Sequence, residues 1–308
     1  MDKSNFIMKP KVDFCFKELM GDPIVRLGFI SALLNISPSE IQDAELIPTT
    51  LRQEHEENKL GILDVRIKLR SGTQINMEMQ VAPFSEWEKR TLFYLCKMFA
   101  DQLHKGDSYG ALKKCIHVGL LDFVLFKDEP AYYSRFHIWE DTRRLKYSDE
   151  LEIHVLELPK LKNYDDPADE LMKWAKFFNA ENEEEFKMLA QENDYLNRAY
   201  EKLHEISADE QKRLEYDARE KAIRDYNWQM SKSRESGFQD GFQNGFQGGI
   251  QNGKATAICD LLAEISPVPD ELKKIIFSEK DPDILKKWLS LAAKAGSIEE
   301  FERSIKDI

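Results

Sequence analysis

The chain has 308 residues, room for about two domains at roughly 150 residues each, and with 42% hydrophobic and 32% charged residues it has the balance of a globular protein with a sizeable core. No apolar run approaches the roughly 20 residues a membrane span needs, and Met1-Asp2-Lys3-Ser4-Asn5 lacks the plan of a secretory signal, so no membrane partner and a cytoplasmic location are expected. A net charge of −12 excludes a generally basic nucleic-acid coat, yet it is unevenly spread: Asp149 to Glu185 holds twelve acidic residues against four lysines, whereas Glu86 to Lys114 carries six basic residues against four acidic ones and admits a DNA-facing surface.

In chain order, Asp22 to Asn35 predicts a helix, with Asp22 as cap, Pro23 in the first turn and an apolar face from Ile24 to Leu34. Pro38 punctuates, Ile41 to Thr50 reads as a strand, and Arg52 to Lys59 as a charged connector whose Glu54, His55, Glu56 and Glu57 are solvated rather than ligands. Leu63, Val65, Ile67 and Leu69 alternate with Asp64, Arg66 and Lys68; Ile75, Met77, Met79 and Val81 alternate with Asn76, Glu78 and Gln80. Two such period-2 runs around Ser71-Gly72 predict a β-hairpin with one apolar and one polar face. Because facing residues share a side of the sheet, their numbers must sum to an even value. A three-residue loop, Arg70-Ser71-Gly72 with Gly72 left-handed, meets that condition and sets Asp64 opposite Glu78.

Glu86 to His104 predicts a largely buried helix, and Cys115 to Phe126 a buried strand, so that hairpin, helix and strand imply a right-handed crossover in a mixed sheet. Further strands are expected at Tyr133 to Glu140 and Leu151 to Leu158, then a helix at Pro167 to Asn179. The expected domains are 1–185, a charged helical connector 186–236, a glycine tetrad repeat 237–253 and a small helical unit 254–308. Within the repeat, Gly237, Gly241, Gly245, Gly249 and Gly253 run beside Phe238, Phe242, Phe246 and Ile250. This is either a flexible linker or a helix; a helix packed against a second copy would bury the phenylalanines, which favours a homo-oligomer through the C-terminal region.

Cys15, Cys96, Cys115 and Cys259 are too sparse for a disulfide framework, and the six histidines form no HExxH or HxxxH pair, so any metal is expected to be held by oxygen. Asp64 facing Glu78, with Gln80 on the same side, supplies such oxygens; two close carboxylates repel unless a cation or a shared proton relieves them, and Mg²⁺ suits them. The competing account is a solvent-facing strand with ordinary polar alternation.

The chain resembles a known family in several ordered blocks: Lys9-Pro10 through Asp13-Phe14-Cys15-Phe16-Lys17, GILDVRIKLRSGTQINMEMQ at 61–80, KRTLFYLCKMFADQLHKGDSYGALKKCIHVGLLDF at 89–123 and LEIHVLELPKL at 151–161. Over roughly residues 9–185 it is similar to the Rpn branch of the PD-(D/E)XK nuclease superfamily, the recombination-promoting nucleases and transposases. That resemblance implies an α/β fold: a restriction-endonuclease-like mixed central sheet flanked by helices, followed here by a C-terminal helical region. It implies a Mg²⁺-dependent DNA endonuclease, with Asp64 and Glu78 as metal ligands and Gln80 where the wider superfamily usually has lysine. Glutamine hydrogen-bonds but brings no charge. Asp13 and Lys17, four apart, are either a surface ion pair or the source of the missing cation near Asp64. Arg90 and Tyr94 fall where related nucleases place polar and tyrosine side chains near the metal, Tyr94 also being a candidate core residue. The alternative function is a catalytically weak nuclease fold acting as a DNA- or protein-binding, self-associating module.

Overall fold

The computed structural model describes residues 6–41, 43–51, 63–83 and 85–306. The charged connector predicted at 52–59 lies outside the described residues. The chain divides into two compact units, Met1–Asp225 and Tyr226–Ile308.

The first unit opens with α1 (Asp13–Gly21), α2 (Pro23–Leu34) and the single turn α3 (Pro38–Ile41). Asp22 caps α2 as expected, accepting from the backbone N–H of Ile24 and Val25, and Asn35 closes it in the left-handed conformation. A six-stranded sheet follows, built from β1 (Ala44–Leu46), β2 (Val65–Leu69), β3 (Gln74–Gln80), β4 (Cys115–Leu121), β5 (Tyr133–Trp139) and β6 (Lys146–Glu157), with α4 (Trp87–Ala100) between β3 and β4. Its order is β1-β2-β3-β4-β6-β5; β3, β4 and β6 are parallel and the other pairings antiparallel, the mixed sheet that the element order predicts. Then come α5 (Glu170–Asn179), α6 (Glu183–Ala190), α7 (Asp194–Ala208) and α8 (Glu210–Ala263).

Several boundaries differ from the sequence expectation. The predicted strand Ile41 to Thr50 is reduced to β1, because Ile41 belongs to α3. The helix expected from Glu86 to His104 ends at Ala100, and that from Pro167 begins at Glu170, with Asp169 as its cap. The predicted strand to Phe126 stops at Leu121: the N–H groups of Leu125 and Phe126 donate to the Glu157 carboxylate, so a side chain replaces the ladder. In the opposite sense, β6 starts five residues early, its polar first half forming a hairpin arm with β5.

One sheet face carries Val65, Ile67, Leu69, Ile75, Met77, Met79, Ile116, Val118 and Leu120 into the main core. Phe16 of α1, Phe29 of α2 and Phe178 of α5 meet there edge to face, with ring centroids 5.4 and 5.0 Å from Phe178. Each such ring contributes about 1.5–3 kcal/mol by leaving water, and together they fix three helices on the sheet. The other face lies under α4, whose Tyr94, Leu95 and Met98 pack on Leu63 and Cys115, and whose Trp87 packs on Leu121 and Val155.

In the second unit, Ala255, Ile258 and Leu262 of α8 share a small core with α9 (Asp270–Ser278), α10 (Pro282–Ala292) and α11 (Ile298–Lys306) through Leu272, Ile276, Leu285, Trp288 and Phe301. The glycine tetrads are helical, lying within α8, and Phe238, Phe242 and Phe246 are 73%, 68% and 62% exposed.

Candidate active site

The hairpin register is the predicted one. Leu69 and Thr73 close the loop, Gly72 sits at φ +89°, and Val65 pairs with Met77 and Ile67 with Ile75. Asp64 lies at a bend immediately before β2, one step beyond the last pair, where the register carries it toward Glu78. The polar face of β3 is no solvent-facing surface. Beneath α4, Asn76 is 1% and Glu78 2% exposed. That burial removes the bland account of the alternation, because a buried carboxylate must be paired or neutralised.

Two cations reach the pair. In α1, Cys15, Phe16, Leu19 and Met20 face the core, leaving Asp13 and Lys17 on the outer side; Lys17 Nζ stands 2.9 Å from Asp64 Oδ1 and 3.7 Å from Asp13 Oδ2. From α4, Arg90 Nη2 lies 3.5 Å from Glu78 Oε2, and its guanidinium sits 5.4 Å from the centre of the Tyr94 ring. Burial nevertheless pushes the Asp64 carboxyl above its ordinary value; Lys17 opposes the rise, while Glu78 and Asp13 add to it. Burial raises Glu78 likewise, against Arg90, Asn76 and Lys17.

The other expected residues are placed differently. Gln80 donates its amide to the Ala82 carbonyl at 3.3 Å. Tyr94 is a core residue of the α4 layer as well as the surface under Arg90. Sequence reasoning missed Asn76 and His117 as site residues. Asn76 Nδ2 lies 3.4 Å from Glu78 Oε1 and 3.0 Å from His117 Nδ1, and burial, with Arg90 nearby, pushes the His117 ring down to about 3. Alternation puts Asn76 on the face of Glu78, but nothing local marks His117, which stands in the apolar run CIHVGLL.

The donor set suits a hard divalent ion. Burial raises both carboxyls although each has an organic cation beside it, and either a proton or a further positive charge would relieve them. A different grouping of the described residues, His137, Asp149 and Glu152, brings its ligand atoms within 4.8 Å of one another. There the Glu152 Oε1 atom already receives Lys114 Nζ at 2.5 Å, Arg135 Nη2 at 3.0 Å and His137 Nε2 at 2.7 Å, which leaves little for an ion to neutralise.

The family described as PD-(D/E)XK nuclease family transposase matches residues 10–233. No curated protein and no solved structure matches the chain. The match spans the whole sheet and every residue of this candidate site, and it ends before the first glycine tetrad. The chain belongs to the PD-(D/E)XK nuclease family transposases.

Proposed function

We propose that the protein is a Mg²⁺-dependent DNA endonuclease that hydrolyses phosphodiester bonds, in a reaction linked to recombination or transposition. The observation that carries this reading is Lys17 Nζ at 2.9 Å from Asp64, beside a buried Glu78. Asp64 and Glu78 would hold the ion; when bound, Mg²⁺ lowers the pKa of an attacking water and stabilises charge on the scissile phosphate. Lys17 supplies the positive charge that Gln80 lacks, arriving from α1 instead of β3, with Asp13 as its second acceptor. It offsets phosphate charge as the P–O bond breaks. Arg90 holds Glu78 in place and Tyr94 supports Arg90 from below. The basic segment 86–114, with Lys89 and Lys97 on α4, would meet the DNA backbone.

The test is plasmid nicking. Wild-type protein is expected to nick with Mg²⁺, Asp64→Ala and Glu78→Ala to be inactive but folded, and Lys17→Ala to lose about 10² in rate, the scale for one charge-stabilising group. Gln80→Ala, which removes an amide that bonds the Ala82 carbonyl, is expected to stay within about threefold of wild type. Persistent nicking by Asp64→Ala defeats the reading. DNA retention without metal-dependent cleavage indicates instead a binding module on a nuclease fold, the reading favoured by the neutral Gln80.

Self-association through α8 is part of the same proposal. Phe242 and Phe246 stack at 6.4 Å and point a row of rings outward, while outside the local helix backbone no atom of the described residues lies within 4 Å of an added Cβ at any tetrad glycine, so a second copy could approach closely. No described helix is long and apolar enough to cross a membrane. All four cysteines are free, which suits the reducing cytoplasm we propose as its location.

A further inference from the structure

On the face of Glu78 the parallel register of β3 and β4 aligns Gln74 with Cys115, Asn76 with His117, Glu78 with Gly119 and Gln80 with Leu121. Beside Glu78 there is therefore no side chain, and Trp87 occupies the gap; a Cβ at position 119 would come within 2.6 Å of its Cζ2 atom. The Trp87 ring also meets His117 edge to face at 6.1 Å. Asn76 bridges the two strands, with one amide nitrogen near both Glu78 Oε1 and His117 Nδ1. A carboxylate only accepts, so the NH₂ of Asn76 faces Glu78, and the Nδ1 atom of His117 is the acceptor of the same group, which leaves the ring proton on Nε2. Buried Asn76 Oδ1 and His117 Nε2 have no hydrogen-bond partner among the described residues. Unpartnered buried polar atoms cost stability, and joint apolar replacement of a buried hydrogen-bonded pair can be nearly neutral, so hydrogen bonding for stability alone does not account for this pair.

We infer that Asn76 and His117 are positioning residues for the metal ligand Glu78: His117 fixes the Asn76 carboxamide, and the carboxamide holds one Glu78 oxygen while Arg90 holds the other. The inference rests on the proposed metal reading. It also explains why position 117 carries an imidazole in an otherwise apolar strand, CIHVGLL.

The experiment is Mn²⁺ binding to the full chain, followed by the electron paramagnetic resonance of the free ion, with thermal denaturation alongside. Removing an outer hydrogen-bond partner of a metal ligand weakens metal binding about 10- to 100-fold, so His117→Leu and Asn76→Ala are each expected to lose at least about tenfold in Mn²⁺ affinity. The His117→Leu protein, in which one buried N–H of Asn76 loses its acceptor, is expected to melt somewhat lower than wild type but to stay folded at the assay temperature. His117→Asn, which returns an acceptor at the Nδ1 position, is expected to recover affinity to within about threefold, and the double variant Asn76→Ala/His117→Leu to be no worse than either single one, because the two act as one chain. Wild-type affinity in His117→Leu, or no recovery in His117→Asn, overturns the inference while Asp64→Ala still abolishes binding. If the wild-type chain takes up no Mn²⁺ that Asp64→Ala removes, the metal reading fails first and this inference with it.

Discussion

Replacing Gly237, Gly241, Gly245, Gly249 and Gly253 by alanine tests what the tetrad repeat is for. Each glycine costs a helix about 0.8–1.0 kcal/mol relative to alanine, so the five together weaken this stretch of α8 by about 4–5 kcal/mol, a large share of a typical domain's stability. Among the described residues nothing opposes the change locally, since outside the local helix backbone an added Cβ meets no atom within 4 Å at any of the five. As an isolated helix the fivefold variant must therefore gain stability. A close helix–helix contact reverses the balance. Rows of residues four apart on two helices interdigitate at a crossing angle of about −50°, and methyl groups along the glycine row would hold the partner's phenylalanines off. The assays are amide hydrogen exchange over 237–253 and sedimentation velocity on the full chain. The expected result is slower exchange in the monomer combined with loss of the wild-type assembly, and Phe242→Ser should also lose the assembly without slowing exchange. Unchanged mass in both variants refutes self-association through this row. Unchanged exchange in the alanine variant refutes a continuous helix there.

Other outcomes follow from the same geometry. Gly119→Ala should cost about 1–3 kcal/mol in urea denaturation by driving a methyl into Trp87, and a second change, Trp87→Leu, should return part of it. Because burial raises the Asp64 carboxyl, its ionised form opposes folding at neutral pH, and the opposition fades as the pH falls through the raised value. Asp64→Asn should then melt higher than wild type at about pH 7, with the gain shrinking on acidification; a gain independent of pH contradicts the assignment. Glu152→Gln should cost about 3 kcal/mol, the low end for breaking a buried ion pair because Lys114 and Arg135 keep access to water, and denaturant midpoints measure it.

The hairpin was readable to the residue because two constraints coincided there: alternation that must match across strands, and Gly72 where a positive φ was needed. Lys17 was reachable from its spacing to Asp13, but its partner Asp64 lies far along the chain and only the fold brings them together. The limits of β4 could not be read, since CIHVGLLDFVLF is apolar beyond the point where Glu157 takes over the amides of Leu125 and Phe126. Asn76 and His117 needed knowledge that β3 and β4 are neighbours in parallel register, which no local pattern contains. The burial of the polar face of β3 depends on α4 lying over it, so the alternation alone could not separate a site from a wet surface.

The fit of Trp87 over Gly119 has a consequence for building chimeras of this chain. Helix 87–100 and strand 115–121 form a key and its slot, so a crossover placed between them, for instance in the loop 101–114, transplants one without the other. Only breakpoints that keep both on the same parent preserve the match, which makes 87–121 the smallest interchangeable cassette of this layer.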